Sequence, residues 1–107
     1  MSPDKDATVL APVAKRPKLA PLWNVVLLDD DDHTYEYVIE MIRELFRRDG
    51  ATALRMAREV DLTGRVILDT TPLERAELKR DQIHAYGADW RLDHSEGSMS
   101  ATLEPAK

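Results

Sequence analysis

"LWNVVLLDDDDHTYEYVIEMIRELF", Leu22 to Phe46, is the stretch on which the fold turns. Its first seven residues, "LWNVVLL", are apolar and β-branched, the mark of a buried strand. Four aspartates, Asp29 to Asp32, end that run. Beyond them Asp32 or His33 offers a helix start, with Glu36 in the first turn. Val38, Ile39, Ile42, Leu45 and Phe46 then fall on one helical face. Glu36, Glu40, Arg43, Glu44, Arg47 and Arg48 take the other, and Glu44 and Arg48 are spaced for a favourable pair one turn apart.

Working outward, Asp49-Gly50 is expected to stop this helix, and a second, shorter one to follow with Ala53, Leu54, Ala57 and Val60 inward. Gly64 breaks again, and "RVILD" reads as a second short strand. "TPLE", Thr71 to Glu74, has the form of a capping box with proline at the first helical position. The helix it opens is expected to run to a C-cap at Gly87. In "SMSATLE" Met99, Ala101 and Leu103 alternate with Ser100, Thr102 and Glu104, a half-buried strand. The order β-α-α-β-α-β predicts an α+β domain: a small three-stranded antiparallel sheet packed against three helices. Residues 1–21 carry four of the six prolines and no structural period, so they read as a disordered N-terminal extension ahead of a core domain at 22–107. "KRPK", Lys15 to Lys18, reads as part of that solvated tail.

With 107 residues the chain is one small domain. It has no cysteine, which removes disulfides, thiolate metal sites and cysteine nucleophiles, and fits a reducing compartment. No apolar run is long enough to span a membrane or form a signal peptide, so the cytoplasm is the expected location. The net charge of −5 argues against nucleic-acid binding, which relies on a basic surface.

Like charges one residue apart repel, so the four acids need a reason. As an EF-hand loop, Asp29, Asp31 and Glu40 would take the first, third and last ligand positions. Thr34, however, stands where the sharp turn needs glycine, and the helical period starts inside the loop. A two-carboxylate hydrolase lacks a neighbouring nucleophile, base or glycine-rich loop. Capping a helix needs one acid rather than four. Several carboxylates at a strand-to-helix turn suit an ammonium group instead, through charge-assisted hydrogen bonds.

These residues resemble the ClpS family of bacterial and plastid adaptors for the Clp protease. The likeness rests on "DDDDHTYEYV" at Asp29 to Val38, "ALRMAREVDLTG" at Ala53 to Gly64, "ERAELK" at Glu74 to Lys79 and "SATLEP" near the end. It covers about Trp23 to Pro105. The resemblance implies a non-enzymatic adaptor, without cofactor or metal. Such an adaptor binds N-degron proteins through a free α-amino group and a first residue of Leu, Phe, Tyr or Trp. It then delivers them to a ClpA-type AAA+ unfoldase, whose pore the N-terminal tail engages. It implies α-amino binding by Asp29, Asp30 and Asp61, with Asp31 beside them. The side-chain pocket maps onto Tyr35, Val38, Ala57, Val60 and Met99, with Met56 one residue off register. The unfoldase-facing patch maps onto Glu74, Glu77 and Lys79. A monomer that binds neither nucleic acid nor membrane is expected.

Some positions depart from the family pattern. Asp29 replaces an asparagine and Asp61 a histidine, so neutral acceptors become charged ones. Tyr35 replaces a methionine, adding bulk at one wall. A second expectation therefore stays open, a protein of this fold that docks on the unfoldase without binding N-degrons. Glu74 doubles as the last residue of the apparent capping box. Val38, Val60 and Met99 also suit an ordinary core, His33, His84 and His94 read as surface histidines, and Trp23 and Trp90 fit either core or rim.

Overall fold

The computed structural model describes residues 20–107. The expected N-terminal extension over residues 1–21, "KRPK" included, therefore lies outside the described residues except for its last two. The elements run β1 (Leu22–Leu28), α1 (Tyr35–Phe46), α2 (Gly50–Thr63), β2 (Arg65–Pro72), α3 (Leu73–His84) and β3 (Ser100–Pro105). The order is β-α-α-β-α-β, and the domain is α+β as expected. The strands form one antiparallel sheet in the order β2-β1-β3, with β1 in the centre. Central placement explains the unbroken apolar run of β1. Val25 and Leu27 enter the core beneath the helices. Val26 points the other way and is still fully buried, paired with Ile67 on one side and Thr102 on the other.

The helical core gathers Val38, Met41, Ile42 and Phe46 of α1, Ala53, Ala57 and Val60 of α2, and Ala76 and Ile83 of α3. Ile39, Leu45 and Leu54, expected inward, are half-buried. Tyr37 and Met41 take deep places instead, the tyrosine because its hydroxyl donates to the Gly87 carbonyl. Trp23 is half-buried against the core, whereas Trp90 is 81% exposed with the Arg91 guanidinium over its ring.

Several boundaries differ from the sequence expectation, each for a local reason. The cap of α1 is Thr34, whose hydroxyl accepts from the Tyr37 amide at 3.1 Å, rather than Asp32 or His33. Asp49-Gly50 does not stop α1. That helix ends at Arg47, in the left-handed region at φ 57°, and Asp49 caps α2 by accepting from the Thr52 amide. With 14 residues against 12, α2 is the longer of the two. The apparent capping box is not formed: Thr71 is a buried strand residue paired with Trp23, and α3 starts after Pro72 with no side-chain cap. Sheet pairing has taken the residue that the cap required. At its other end α3 stops at His84 rather than near Gly87. Among the described residues, no helix is long and apolar enough to cross a membrane.

The position of the α1 cap is testable. Thr34→Ala leaves the Tyr37 amide without its acceptor and is expected to cost about 1 kcal/mol of stability. Asp32→Ala is expected to stay within about 0.5 kcal/mol of wild type, as a surface change does. Urea unfolding of both variants checks this. The reverse ranking would place the cap in the acidic run.

Candidate functional site

The acidic run begins where β1 leaves the sheet. The Asp29 amide donates to the Gly64 carbonyl at 3.0 Å, which ties the run to the C-terminal end of α2. Asp61 stands on the last turn of that helix. From these two elements and the first turns of α1, a small cavity of about 50 Å³ is assembled. Asp29, Asp30 and Asp61 line it together with Tyr35, Val38, Ala57, Val60 and Met99. Eight of the ten residues expected to form the amino site and its pocket thus come together. Asp31 does not line the cavity; it is exposed, and His94 Nε2 lies 3.1 Å from its carbonyl oxygen. Met56 is half-buried against the core, and Ala57 beside it supplies the wall.

Two further residues, His33 and Thr34, line the cavity without being assigned to it by the sequence. Nothing in local spacing marks Thr34 until the cap is known. His33 read as a surface residue, yet only 3% of its side chain is exposed. Its Nδ1 lies 2.7 Å from Asp30 Oδ1 and its Nε2 2.7 Å from the Gly97 carbonyl oxygen. The sequence neighbour is half of this arrangement, and Gly97, 64 residues away, is the other half. His84 and His94 are exposed as expected.

The electrostatics of the cavity favour a cation. Partial burial pushes the Asp29 carboxyl above its ordinary value. The Asp30 amide pulls the other way, and the charges of Asp61, Asp30 and Asp31 push it up again. A positive group among these acids reverses that effect. The Tyr35 hydroxyl donates to Asp61 Oδ2 at 2.8 Å, a bond that joins the first turn of α1 to the last turn of α2 and raises the tyrosine's own pKa. Beneath the acids, Val38, Ala57, Val60 and Met99 are buried and apolar. The Thr34 hydroxyl is engaged by the helix cap. The arrangement can hold a cation beside an apolar group.

The three residues expected to face an unfoldase separate into two kinds. Glu74 and Glu77 are exposed on α3. Lys79 is turned inward: its Nζ donates to the Leu45 carbonyl near the C-terminal end of α1 and lies over the Phe46 ring. Desolvation there lowers its pKa. Leu73 and Leu78, large apolar residues on the same helix, are exposed.

Comparison with known proteins agrees with this architecture. The family model described as "ATP-dependent Clp protease adaptor protein ClpS" matches residues 18–91. The ATP-dependent Clp protease adapter protein ClpS of Paraburkholderia xenovorans is 34% identical over 82 residues, 76% of this chain and 79% of that protein. Its counterpart in Alkalilimnicola ehrlichii is 30% identical over 95 residues, 89% of this chain and 82% of that one. A solved structure of Agrobacterium tumefaciens ClpS2 bound to L-phenylalaninamide superposes with a TM-score of 0.71. It covers 82% of this chain and 100% of its own, at 23% identity, and so shows the shared fold.

The cavity is held in place by a buried carboxylate outside it. Asp89 accepts from the Thr34 amide at 2.7 Å, and from the Arg91 amide and guanidinium at 3.1 and 3.2 Å. Arg91 continues to Glu40 on α1 at 2.7 Å. Burial pushes the Asp89 carboxyl up, but the hydrogen bonds from Thr34 and Arg91 outweigh it and hold it down to about 2. The ordinary carboxylate value is roughly 3.9, so this group stabilises the fold above about pH 4 and ceases to as pH falls toward 2. Asp89→Asn is expected to cost about 3 kcal/mol at neutral pH, since it leaves Arg91 without its buried partner. It is also expected to flatten the loss of melting temperature between pH 4 and 2. Thermal unfolding of wild type and variant across that window checks both, and parallel acid curves would remove Asp89 from the account.

Proposed function

The chain belongs to the ClpS family, and on that footing we propose that it captures polypeptides by a free α-amino group and a large hydrophobic first residue, and delivers them to a ClpA-type AAA+ unfoldase. One observation carries the reading: the acidic residues Asp29, Asp30 and Asp61 line the same small cavity as Val38, Ala57, Val60 and Met99. An α-ammonium and a side chain hang from one Cα atom. A site for both needs acceptors directly beside an apolar floor. The cavity is far smaller than the roughly 300–1,000 Å³ of small-molecule pockets, and its size suits a single side chain. The ligand in the Agrobacterium ClpS2 structure, L-phenylalaninamide, has a free α-amino group, a benzyl side chain and no carboxylate. That is the chemistry this cavity suits.

On binding, the ammonium presents three N–H donors to charged acceptors, the strong class of hydrogen bond. Asp29, held above its ordinary pKa in the empty site, becomes easier to ionise as the cation arrives. Tyr35 and Asp61 meet at the edge of the cavity, so the ammonium either shares Asp61 with the tyrosine or takes its other oxygen. On α3, Glu74 and Glu77, flanked by exposed Leu73 and Leu78, form the proposed unfoldase contact. Lys79 contributes to it only by holding α1 against α3.

Titration with free and acetylated Phe-initiated peptides tests the amino site. Acetylation removes the charge, and is expected to lose about 1.5–3 kcal/mol of binding, the weight of a hydrogen bond to a charged group at a site whose acids are exposed or half-buried. Asp30→Ala is expected to cost a similar amount. A carboxylate binds a cation only when ionised, so affinity is expected to fall as pH drops through the raised Asp29 value, and to fall with added salt. Equal affinity for both peptides would sink this reading. No binding of either peptide, with unfoldase association intact, would favour a regulator that docks without carrying cargo.

The docking surface is tested separately. Reversing Glu74 and Glu77 together, both to Lys, is expected to weaken association with a ClpA-type hexamer while peptide affinity stays at the wild-type level. Neither residue caps α3 or lines the cavity. Unchanged association would remove α3 from the interface.

A further inference from the structure

His33 follows four aspartates and is nonetheless buried, with both ring nitrogens at 2.7 Å from an oxygen. Neutral imidazole carries one donor and one acceptor nitrogen. The Gly97 carbonyl only accepts, and so does an ionised Asp30. Either neutral tautomer therefore sets two lone pairs against each other at one of these contacts, 2.7 Å apart with no room for a water between them. Imidazolium donates through both. A proton on Asp30 Oδ1 is the other way out, but that same oxygen receives the Asp32 amide at 2.9 Å, which suits an ionised acceptor.

The surroundings are consistent with a cation at this point. From the turn, Asp30 and the Asp32 amide face the ring region. From α1 comes the Tyr37 ring, with centroids 4.4 Å apart. From the segment between α3 and β3 comes the Gly97 carbonyl. Asp29 and Asp61 line the same cavity as His33. His94 lies beside Asp31 and Asp32, and Asp89 with Arg91 sits behind Thr34. Among hydrogen bonds of the described residues, those to Asp30 all reach Oδ1, and Oδ2 receives none.

Resting on the reading of this cavity as an α-ammonium site, we propose that His33 is held as imidazolium and is the positioning residue of that site. Its Nδ1–H, together with the Asp32 amide, engages Asp30 Oδ1, so that Oδ2 is the oxygen left to receive the ligand. Its charge offsets one carboxylate of the crowded run. Its Nε2–H fixes Gly97, two residues before Met99 on the cavity wall.

Nitrogen-15 NMR of the imidazole in peptide-free protein at pH 7 reads the state directly. Two protonated nitrogens are expected, and one bare nitrogen overturns the imidazolium. Two substitutions separate orientation from charge. His33→Ala removes donor and charge, while His33→Asn puts an amide N–H near the place of Nδ1 without the charge. Affinity for a Phe-initiated peptide is expected to fall about tenfold in His33→Ala, the weight of one hydrogen bond to a charged group. It is expected to stay within about threefold of wild type, with a steeper salt dependence, in His33→Asn. Equal losses in the two variants, losses that follow their melting temperatures, or no loss in His33→Ala each overturn the positioning role. If wild-type protein binds free and acetylated peptide equally, the ammonium site fails and positioning of Asp30 for a ligand fails with it. The imidazolium is still decided by the spectrum, which is taken without peptide.

Discussion

The hydrogen bond from the Thr34 amide to the buried Asp89 carboxylate ties the start of α1 to the segment that returns the chain from α3 to β3. Thr34 is the cap of α1, so its position sets where the first turn begins and where Tyr35 and Val38 point. The same junction draws in Arg91, and through it Glu40 on the second turn of α1. A buried charge without partners is costly, and Asp89 has three donors within 3.2 Å. The segment around it is irregular, yet it is anchored at four further points: Tyr37 to Gly87, Ser98 to Gly87, Ser95 to Asp89 and His33 to Gly97. The cavity floor contributed by Met99 is thereby fixed relative to the acids at the rim.

Much of the fold could be read from the sequence because its signals are local. The run "LWNVVLL" is apolar because β1 is the central strand, flanked on both sides. Val38, Ile42 and Phe46 recur at helical spacing and are buried together. Where expectation and structure part, a partner distant in sequence has decided the matter. Thr71 looks like a helix cap until it pairs with Trp23, 48 residues earlier, in the sheet. Lys79 looks like a surface charge until its ammonium finds the Leu45 carbonyl near the end of α1. Asp49-Gly50 looks like a stop because the true stop, Arg47, is an arginine in the left-handed region, which no propensity marks.

The candidate site divides along the same line. Asp29, Asp30, Tyr35 and Val38 share one short stretch, while Ala57, Val60 and Asp61 share one helix face, so a motif can name them. Asp89 and His33 are recognised only through partners 55 and 64 residues away. They supply what the acids lack. Four adjacent carboxylates repel and have no fixed orientation of their own, and an isolated acidic loop would be a diffuse negative patch.

The four acids are not equivalent once folded, and that division bears on why the chain carries so many. Asp29 and Asp30 face the cavity, and the Asp61 carboxylate joins them from α2. The Asp32 carboxylate lies near His94 on the segment opposite, which also meets the Asp31 backbone carbonyl, while Asp31 itself is exposed. Asp29 remains the strained member, raised above its ordinary value by burial and by three neighbouring acids. That strain has a use in the proposed function. A site crowded with acids is destabilised when empty and relieved when a cation enters, so part of the repulsion returns as binding free energy for an ammonium and for nothing neutral. Asparagine and histidine at positions 29 and 61 would accept hydrogen bonds without that bias. On the proposed function, aspartate at both makes the discrimination between a free and a blocked amino terminus a matter of charge, and leaves the buried floor of Val38, Ala57, Val60 and Met99 to read only the size of the side chain.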